Sequence, residues 1–306
     1  MKTYLDCVPC FIRQGLEAAR SVCDDEATIA RAMKRVLAEA STFDLSLSPP
    51  EMGQKIHSII REEVNNKDPY RQIKDSSISF ALTMEKRVKK IIYESDNPFG
   101  AALRFSIAGN ILDFALLSTW DDERIDESFK NAMDKPVDEL VVKELEEDIQ
   151  KSGNVLFLAD NAGETVFDRL FIETFPKNTT VTYVVKGGPI INDATLECAR
   201  KSGLNDVATI IDNGADAPGT VLTQCSKDFL SHYESAPVVI AKGQANFETL
   251  NVATKKIYLL LQMKCIVVAQ HYGYSVGDWL VKTTDKLAKE RRTNMLKGKT
   301  GKETDL

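Results

Sequence analysis

The stretch VLFLADNAGE, residues 155–164, decides the fold of this chain. Its first five residues are apolar and are typical of a buried β-strand. Asp160, Asn161 and Glu164 follow at once in a glycine-containing turn, and a helix is predicted over residues 165–175. In an open α/β sheet, ligands bind at the carboxyl ends of the strands, where this turn would lie. The stretch therefore predicts an α/β fold with a binding site at the end of a strand.

Two kinds of ligand suit this turn. The carboxylate of Asp160 and the amide oxygen of Asn161 are hard donors of the kind that divalent cations prefer. The start of the predicted helix offers N–H groups and the positive end of the helix dipole to an anion. Together these features indicate metal-assisted chemistry on a phosphorylated small molecule. The alternative is that Asp160 or Asn161 only caps the helix.

Composition narrows the class of protein. The chain has 306 residues, 43% of them hydrophobic and 27% charged, which is ordinary for a globular protein and enough for two domains. A net charge of -6 argues against a nucleic-acid partner. The apolar runs are too short to cross a membrane, no signal peptide is visible, and six cysteines do not make a disulfide scaffold. We expect a cytoplasmic protein; its oligomeric state is left open.

The first half of the chain, residues 1–150, is predicted to form an all-α helical domain. Apolar residues recur there at helical spacing, and Asp24 or Asp25 is placed to cap the first of these helices. The first predicted helical segment ends at residue 40, and the others cover residues 51–64, 76–93, 99–117 and 137–150.

The second half, residues 151–306, is predicted to be an α/β domain that binds the metal. Short apolar runs alternate with helical segments, which indicates a mainly parallel sheet covered by helices on both faces. The predicted strands cover residues 155–159, 181–185, 207–211, 238–241 and 266–269, and helices are predicted over 165–175 and 193–202.

A second acidic turn, KGGPIIND at residues 186–193, follows the second predicted strand. Turns after adjacent parallel strands converge at one edge of the sheet, so Asp193 could join Asp160 and Asn161 around one cation. Two carboxylates and an amide oxygen suit magnesium or manganese better than zinc. The alternative is that Asp193 caps its own helix.

Two later turns extend this pattern. The third predicted strand is followed by DNGADAPGT, residues 212–220, and the fourth ends in AKGQANFE, residues 241–248. Lys242 stands at a strand end, where its ammonium could hold a phosphate or sugar oxygen. Structural turns use Gly and Asn freely but have no need of so many acids and lysines, so the accumulation predicts a site.

These motifs resemble the damage-control phosphatase family, formerly domain of unknown function 89. The resemblance rests on DNAGE, KGxPIINDAT, NGxDxPGT and AKGQxNFE, and on AGNILDF at residues 108–114 in the helical half. The N-terminal DCVPC is similar to the small archaeal and bacterial branch. The resemblance implies a helical domain joined to a three-layer α/β/α domain with metal-dependent activity on phosphometabolites. The family's metal-binding Asp-Asn pair and later Asp match Asp160, Asn161 and Asp193.

The site expected from these arguments has a metal set and a substrate set. Asp160, Asn161 and Asp193 would hold a divalent ion, namely Mg, Mn, Co or Ni, and Lys242 completes the catalytic group. Glu164 or Asp113 would act as a base or bind sugar hydroxyls of a small phosphorylated metabolite. The residues assigned to substrate binding are Glu164, Asn110, Asp113, Gly163, Asn192, Asp216, Gly243 and Asn246.

Several alternatives remain open. Asp160 could attack the phosphorus itself, but Ala162 stands where haloacid-dehalogenase-like phosphatases, which use such a nucleophile, have a proton-donating acid. The pair Cys7 and Cys10 could bind metal, cycle as a dithiol or be inert. A carboxyl methyltransferase and a non-catalytic metabolite-binding protein are the rival functions, and phosphate release with and without divalent ions would separate them from a phosphatase.

Overall fold

The computed structural model describes residues 1–109 and 122–296. The proposed substrate residues Asn110 and Asp113 lie outside this part of the chain. Seven described helices precede the first strand. They are α1 (Cys7–Arg20), α2 (Glu26–Ala40), α3 (Pro49–Glu63), α4 (Arg71–Glu94), α5 (Pro98–Ala108), α6 (Asp122–Asp134) and α7 (Glu139–Ser152).

The second half alternates strands with helices. Its elements are β1 (Asn154–Leu158), α8 (Glu164–Ile172), β2 (Thr180–Val185), α9 (Leu196–Lys201), β3 (Thr209–Asp212), α10 (Lys227–Ser235), β4 (Val238–Lys242), α11 (Gly243–Leu250), β5 (Tyr258–Gln262), α12 (Ile266–Tyr272), β6 (Trp279–Thr283) and α13 (Thr284–Leu296). None of the described helices is long and apolar enough to cross a membrane.

The six strands form one sheet in the order β3-β2-β1-β4-β5-β6. The strands β1 to β5 are parallel, and β6 pairs antiparallel with β5. In the centre, Phe157 of β1 lies between Tyr183 of β2 and Ile240 of β4. The order of strands reverses between β1 and β4, and in open α/β sheets the ligand crevice lies at that point. The predicted α/β fold with a mainly parallel sheet is confirmed.

Local sequence explains several helix ends. The side chain of Asp25 accepts from the backbone N–H groups of Ala27 and Thr28, as the capping prediction required. Helix α3 begins at Pro49 behind a capping box of Ser48 and Glu51.

The sheet is the middle of three layers. Along β1, Val155 and Phe157 face one hydrophobic core, while Leu156 and Leu158 face another, as the two-residue period of a strand requires. The first core includes side chains from α4, α5, α7 and α8, and the second includes side chains from α10, α11 and α12. Helices therefore cover both faces of the sheet.

Helices α1, α2 and α3 pack on one another around a third, smaller core. Helices α4 and α5 instead pack against α8, so their apolar side chains belong to the core of the sheet. The division of the chain at residue 150 stays a prediction. The packing shows that part of the helical half completes the α/β layer structure.

The strand predicted over residues 266–269 is wrong, because these residues form the first turn of α12. Val268 and Ala269 are buried, whereas Ile266 is 60% exposed, so only one side of the segment faces the core. A four-residue apolar run has no periodicity that separates a buried strand from a short helix. The fifth strand is β5, which lies a few residues earlier, and α1 was not predicted.

Candidate active site

The loops after β1 and β2 are joined through their backbones. Asn161 and Asp193 form an isolated antiparallel β-bridge. Ala194 N–H donates to the carbonyl of Asp160 at 2.8 Å, and Ala162 N–H donates to the carbonyl of Asn192 at 2.9 Å. These bonds bring Asp160, Asn161 and Asp193 to the same edge of the sheet.

Two carboxylates of this group are buried. Asp160 is 6% exposed and Asp193 is 4% exposed. Burial and the neighbouring Asp193 raise the pKa of Asp160 to about 6. Burial also raises the pKa of Asp193 to about 6, although Lys186 opposes the shift. At both carboxyl groups the effect of burial on the pKa therefore outweighs the opposing charges of nearby lysines.

One oxygen of Asp193 has no hydrogen-bond partner. Its Oδ2 is buried and unsatisfied, and the Nζ of Lys186 lies 3.5 Å away in an ion pair. The same Nζ donates to the carbonyl of Gly219. Beside this carboxylate, Ile191 has a φ of +42°, which is rare for a β-branched residue. A buried unsatisfied oxygen in a strained loop is typical of a functional site.

Gly243 brings the start of α11 against Asp160. Its φ is +80°, and a Cβ placed there would overlap Oδ2 and Cγ of Asp160. Glycine is therefore required both by the backbone conformation and by the close approach. The contact lies between the ends of β1 and β4, where the strand order reverses.

The buried charges fit a divalent cation. Acidic side chains outnumber basic ones among the buried charged residues of this region, which are Asp160, Glu164, Asp168, Asp193, Glu248, Lys186 and Lys242. Within residues 1–109 and 122–296, no three His, Cys, Asp or Glu side chains form a metal cluster. A cation would therefore rely on the amide oxygen of Asn161 beside two carboxylates, which suits a hard ion.

Lys242 lies beneath these residues and is 1% exposed. Its Nζ donates to the carbonyl of Ser106 at 2.6 Å, to Oε2 of Glu164 at 2.9 Å and to Oδ1 of Asp168 at 2.9 Å. An ammonium group has three hydrogens, so all are used inside the protein. The phosphate contact predicted for Lys242 would require one of these partners to move.

Glu164 is completely buried and contacts Asn161 rather than the surface. Its Oε1 accepts from Nδ2 of Asn161 at 2.6 Å. Burial raises the pKa of Glu164 to about 7 despite Lys242. The backbone N–H groups of Glu164 and Thr165 donate to carbonyls of the preceding turn, so the start of α8 has fewer N–H groups for an anion than the sequence suggested.

Asp160, Asn161 and Asp193 line a cleft of about 250 Å³ together with residues of α1, α3 and α12. Asn192, predicted to bind substrate, lines it as well. The thiols of Cys7, Cys10 and Cys265 also lie in its wall.

Two other predicted substrate residues, Asp216 and Asn246, have side-chain contacts within the protein. Asp216 accepts from Gln54 at 2.6 Å and from Arg61 at 2.6 Å, and this fastens α3 to the loop after β3. The amide of Asn246 donates to the carbonyls of Ala159 and Lys242 and is buried. Gly163 precedes the first residue of α8.

Sequence reasoning missed two charged residues of the cleft. Lys264 is exposed, lines the cleft and lowers the pKa of Asp160 by its charge. Glu248 is buried in the same wall, and burial raises its pKa to about 7. Lys264 follows β5, so a correct assignment of the fifth strand would have placed it at the ligand edge with the other strand ends.

The fold and the site define an α/β protein with two buried carboxylates at the reversal point of its sheet and a helical wall over the cleft. A family model for the damage-control phosphatase ARMT1-like domain matches residues 3–280, and the chain belongs to this family.

Relatives and a solved structure agree with this assignment. A damage-control phosphatase of Archaeoglobus fulgidus is 32% identical over 91% of this chain and 98% of its own length. An uncharacterized protein of Methanocaldococcus jannaschii is 33% identical over 89% of this chain and 92% of its own length. The crystal structure of a DUF89 family protein from Pyrococcus horikoshii superposes with a TM-score of 0.83 at 29% identity, covering 93% of this chain and 99% of that one.

Proposed function

We propose that this protein is a metal-dependent phosphatase that hydrolyses phosphomonoesters of small phosphometabolites such as sugar phosphates. The observation that carries the proposal is the buried pair of Asp160 and Asp193, with an unsatisfied carboxylate oxygen, at the reversal point of the sheet. Relatives named damage-control phosphatases support the class of reaction.

Asp160, Asn161 and Asp193 would hold the cation, which we expect to be Mg, Mn, Co or Ni. When bound, such an ion neutralises phosphoryl oxygens and lowers the pKa of a bound water. Asp160 and Asp193 would contribute their negative charge in the deprotonated form, because a protonated carboxyl is a poor ligand. The backbone hydrogen bonds between the two loops keep both residues in place.

Lys264, which lines the cleft, would bind the phosphate. Its charge lowers the pKa of Asp160, which places the ammonium group close to the proposed metal ligands. An ammonium group stabilises phosphate oxygens as a point charge. Glu248, in the same wall, would accept hydrogen bonds from hydroxyl groups of the substrate.

The two rival functions differ from this proposal in what they need. A carboxyl methyltransferase would use a glycine-rich cofactor loop after the first strand, and the turn after β1 offers only Gly163. A metabolite-binding protein would keep the cleft without turning over a substrate. Membership of a phosphatase family favours hydrolysis over both.

The test is phosphate release from a panel of sugar phosphates and other phosphometabolites, with each of the four metals and with a chelator. Chelator should abolish turnover, and Asp160→Asn or Asp193→Asn should weaken metal binding while the fold is kept. Asp75→Asn is the control, because the carboxylate of Asp75 lies on the surface of α4, where it pairs with Lys201 of α9. Unchanged metal affinity in both site variants, measured by calorimetry, would refute the metal assignment. No release from any substrate with any metal would refute the activity.

A further inference from the structure

We propose that Lys242 is a positioning residue of the metal site, which holds Glu164 so that Glu164 fixes the amide of Asn161. The inference rests on the proposed function. The inference goes beyond the proposed function by assigning a role to Lys242, a buried side chain that is not itself a ligand of the cation.

Two carboxylates fix the orientation of the Asn161 amide. Its Nδ2 donates to Oδ2 of Asp160 at 3.0 Å and to Oε1 of Glu164 at 2.6 Å. Both hydrogens of the amide are therefore committed to carboxylates. A rotation by half a turn would place the amide oxygen against these carboxylate oxygens and lose both hydrogen bonds. The two acids thus decide which end of the Asn161 amide can serve as a ligand.

Lys242 holds the carboxylate of Glu164 in place. Its other oxygen, Oε2, accepts from Nζ of Lys242 at 2.9 Å, and the side chains of the pair are 0% and 1% exposed. On another side, a Cβ added at Gly109 would lie only 3.3 Å from Cγ of Glu164. Glu164 is thereby confined, and no surface water is available to replace Lys242 as its partner.

Lys242 is in turn held by two further buried groups. Its remaining hydrogens go to the carbonyl of Ser106 and to Oδ1 of Asp168. Asp168 accepts in turn from Oγ of Ser106 at 2.6 Å and from the hydroxyl of Tyr183 at 2.7 Å. The chain of contacts from α5 and β2 to Asn161 is completely hydrogen-bonded. In such a network, each member fixes the next.

Loss of the ammonium group would leave Glu164 and Asp168 as two carboxylates without a cation between them. Glu164 would then turn away or take up a proton, and the amide of Asn161 would lose its orientation. Partners that orient a metal ligand typically change metal affinity or activity by roughly ten- to a hundredfold when they are removed. Lys242 acts on the metal site by this route, through two intermediate contacts.

The experiment measures Mn²⁺ affinity by calorimetry and phosphate release in parallel. In Lys242→Met, we expect the dissociation constant for Mn²⁺ to rise roughly ten- to a hundredfold and kcat/KM to fall by at least as much. The matched control is Lys256→Met, because Lys256 also bridges two acids, Glu144 and Asp148, at 2.6 and 2.7 Å, but lies outside the cleft. This control should leave metal affinity unchanged.

A second comparison separates positioning from stability. Asp168→Asn, added to Lys242→Met, removes one of the two uncompensated charges and should restore part of the stability. It does not restore the anchor of Glu164, so Mn²⁺ affinity should stay low. Recovery of wild-type affinity in this double variant would overturn the inference.

Glu164→Gln tests the same contact if Lys242→Met does not fold. The amide end of glutamine must face either Lys242 or Asn161, so one of the two contacts is lost and Mn²⁺ affinity should again fall. Suppose that the wild type hydrolyses phosphomonoesters and that a folded Glu164→Gln variant binds Mn²⁺ with unchanged affinity. This outcome would refute the inference and leave the proposed function intact. A wild type that binds Mn²⁺ without releasing phosphate would refute the function, and the affinity comparison would still decide the inference.

Discussion

At Gly243 the main chain passes so close to Asp160 that one added methyl group would change the site. In Gly243→Ala, we expect Asp160 to be displaced, because the new Cβ would overlap its carboxylate. The left-handed φ alone costs roughly 1–2 kcal/mol for a residue with a Cβ. The free energy of unfolding should fall by more than this amount, and Mn²⁺ affinity should fall as well. Denaturant unfolding and calorimetry measure the two effects.

Gly273 provides the matched control. Its φ of +76° is almost the same as that of Gly243, but a Cβ added there would have no heavy atom within 4 Å. Gly273→Ala should therefore show the backbone cost of roughly 1–2 kcal/mol and no change in metal affinity. If both substitutions changed the free energy of unfolding and the Mn²⁺ affinity equally, the contact with Asp160 would not be the cause of the effects of Gly243→Ala.

The pKa values of Asp160 and Asp193 predict opposite effects of pH on stability and on metal binding. Their usual value is 3.8, and burial raises both to about 6 in the metal-free protein. Between these values the folded chain holds protons that the unfolded chain has released. The stability that these two groups contribute is therefore fully present below the usual value and is lost as the pH rises through about 6.

Metal binding requires the deprotonated carboxylates, so it should weaken as the pH falls. We expect the dissociation constant for Mn²⁺ to rise roughly ten- to a hundredfold between about pH 7.5 and about pH 5. Calorimetric titrations at several pH values measure this dependence. A dissociation constant that stayed flat across this range would show that Asp160 and Asp193 are not both ligands.

At the scale of elements, α1 places two thiols at its first turn in the wall of the cleft. Cys7 is buried, and burial raises its pKa to about 11, so its thiol stays protonated near neutral pH. In Cys7→Ser with Cys10→Ser, we expect stability to fall, since burying an additional hydroxyl costs roughly 1–3 kcal/mol. The metal-dependent kcat should be retained. Thermal unfolding and steady-state kinetics test both expectations.

Cys225→Ser is the control for this pair, because burial also raises the pKa of Cys225 to about 11 and its side chain does not line the cleft. It should lower stability without changing KM. A folded variant of Cys7 and Cys10 that had lost all turnover would instead place these thiols in the chemistry.

The sequence predicted those strands whose apolar runs end in polar, glycine-containing turns. The segments after β1, β2 and β4 are examples. The first two contain Asp160, Asn161 and Asp193, so the sequence could predict that these residues lie at one edge of the sheet. Residues 258–261 are apolar, as most of β1 is, but they are followed by Gln262-Met263-Lys264 without glycine, so β5 was not recognised. The strand predicted over residues 266–269 took its place.

The contacts of Lys242 could not be predicted for a different reason. Its partners Ser106, Glu164 and Asp168 lie 74 or more positions away in sequence, and only the docking of α5 and α8 brings them together. Strand-end position predicts which backbone reaches the ligand edge. It does not predict whether a long side chain points outward to the ligand or inward to buried acids.

At the scale of the whole molecule, the core of the sheet extends into the helical half. Side chains of α4, α5 and α7 pack in the same cluster as those of β1 and α8. We expect the fragment 151–306 to expose this face and to aggregate or lose cooperative unfolding, because a large exposed apolar patch favours association. Size-exclusion chromatography and thermal unfolding test this expectation.

The fragment 71–306 is the matched comparison. It lacks only α1, α2 and α3, which have their own core, and it keeps the helices that cover the sheet. This fragment should fold but lack one wall of the cleft. We therefore expect both its Mn²⁺ binding and its substrate turnover to be weaker than those of the whole chain. If fragment 151–306 folded as well as fragment 71–306, the boundary at residue 150 would be a true domain boundary.

The shared core also bears on how the chain is made. Nine of the eleven residues of α5 are buried, so this helix has almost no polar face of its own. It leaves the ribosome well before β4 and β5, which complete the centre of the sheet that it covers. The nascent chain therefore carries an uncovered apolar helix while more than a hundred further residues are added. Transiently exposed apolar surface of this kind is what chaperones bind, so synthesis of this protein should depend on them more than its final compact state suggests.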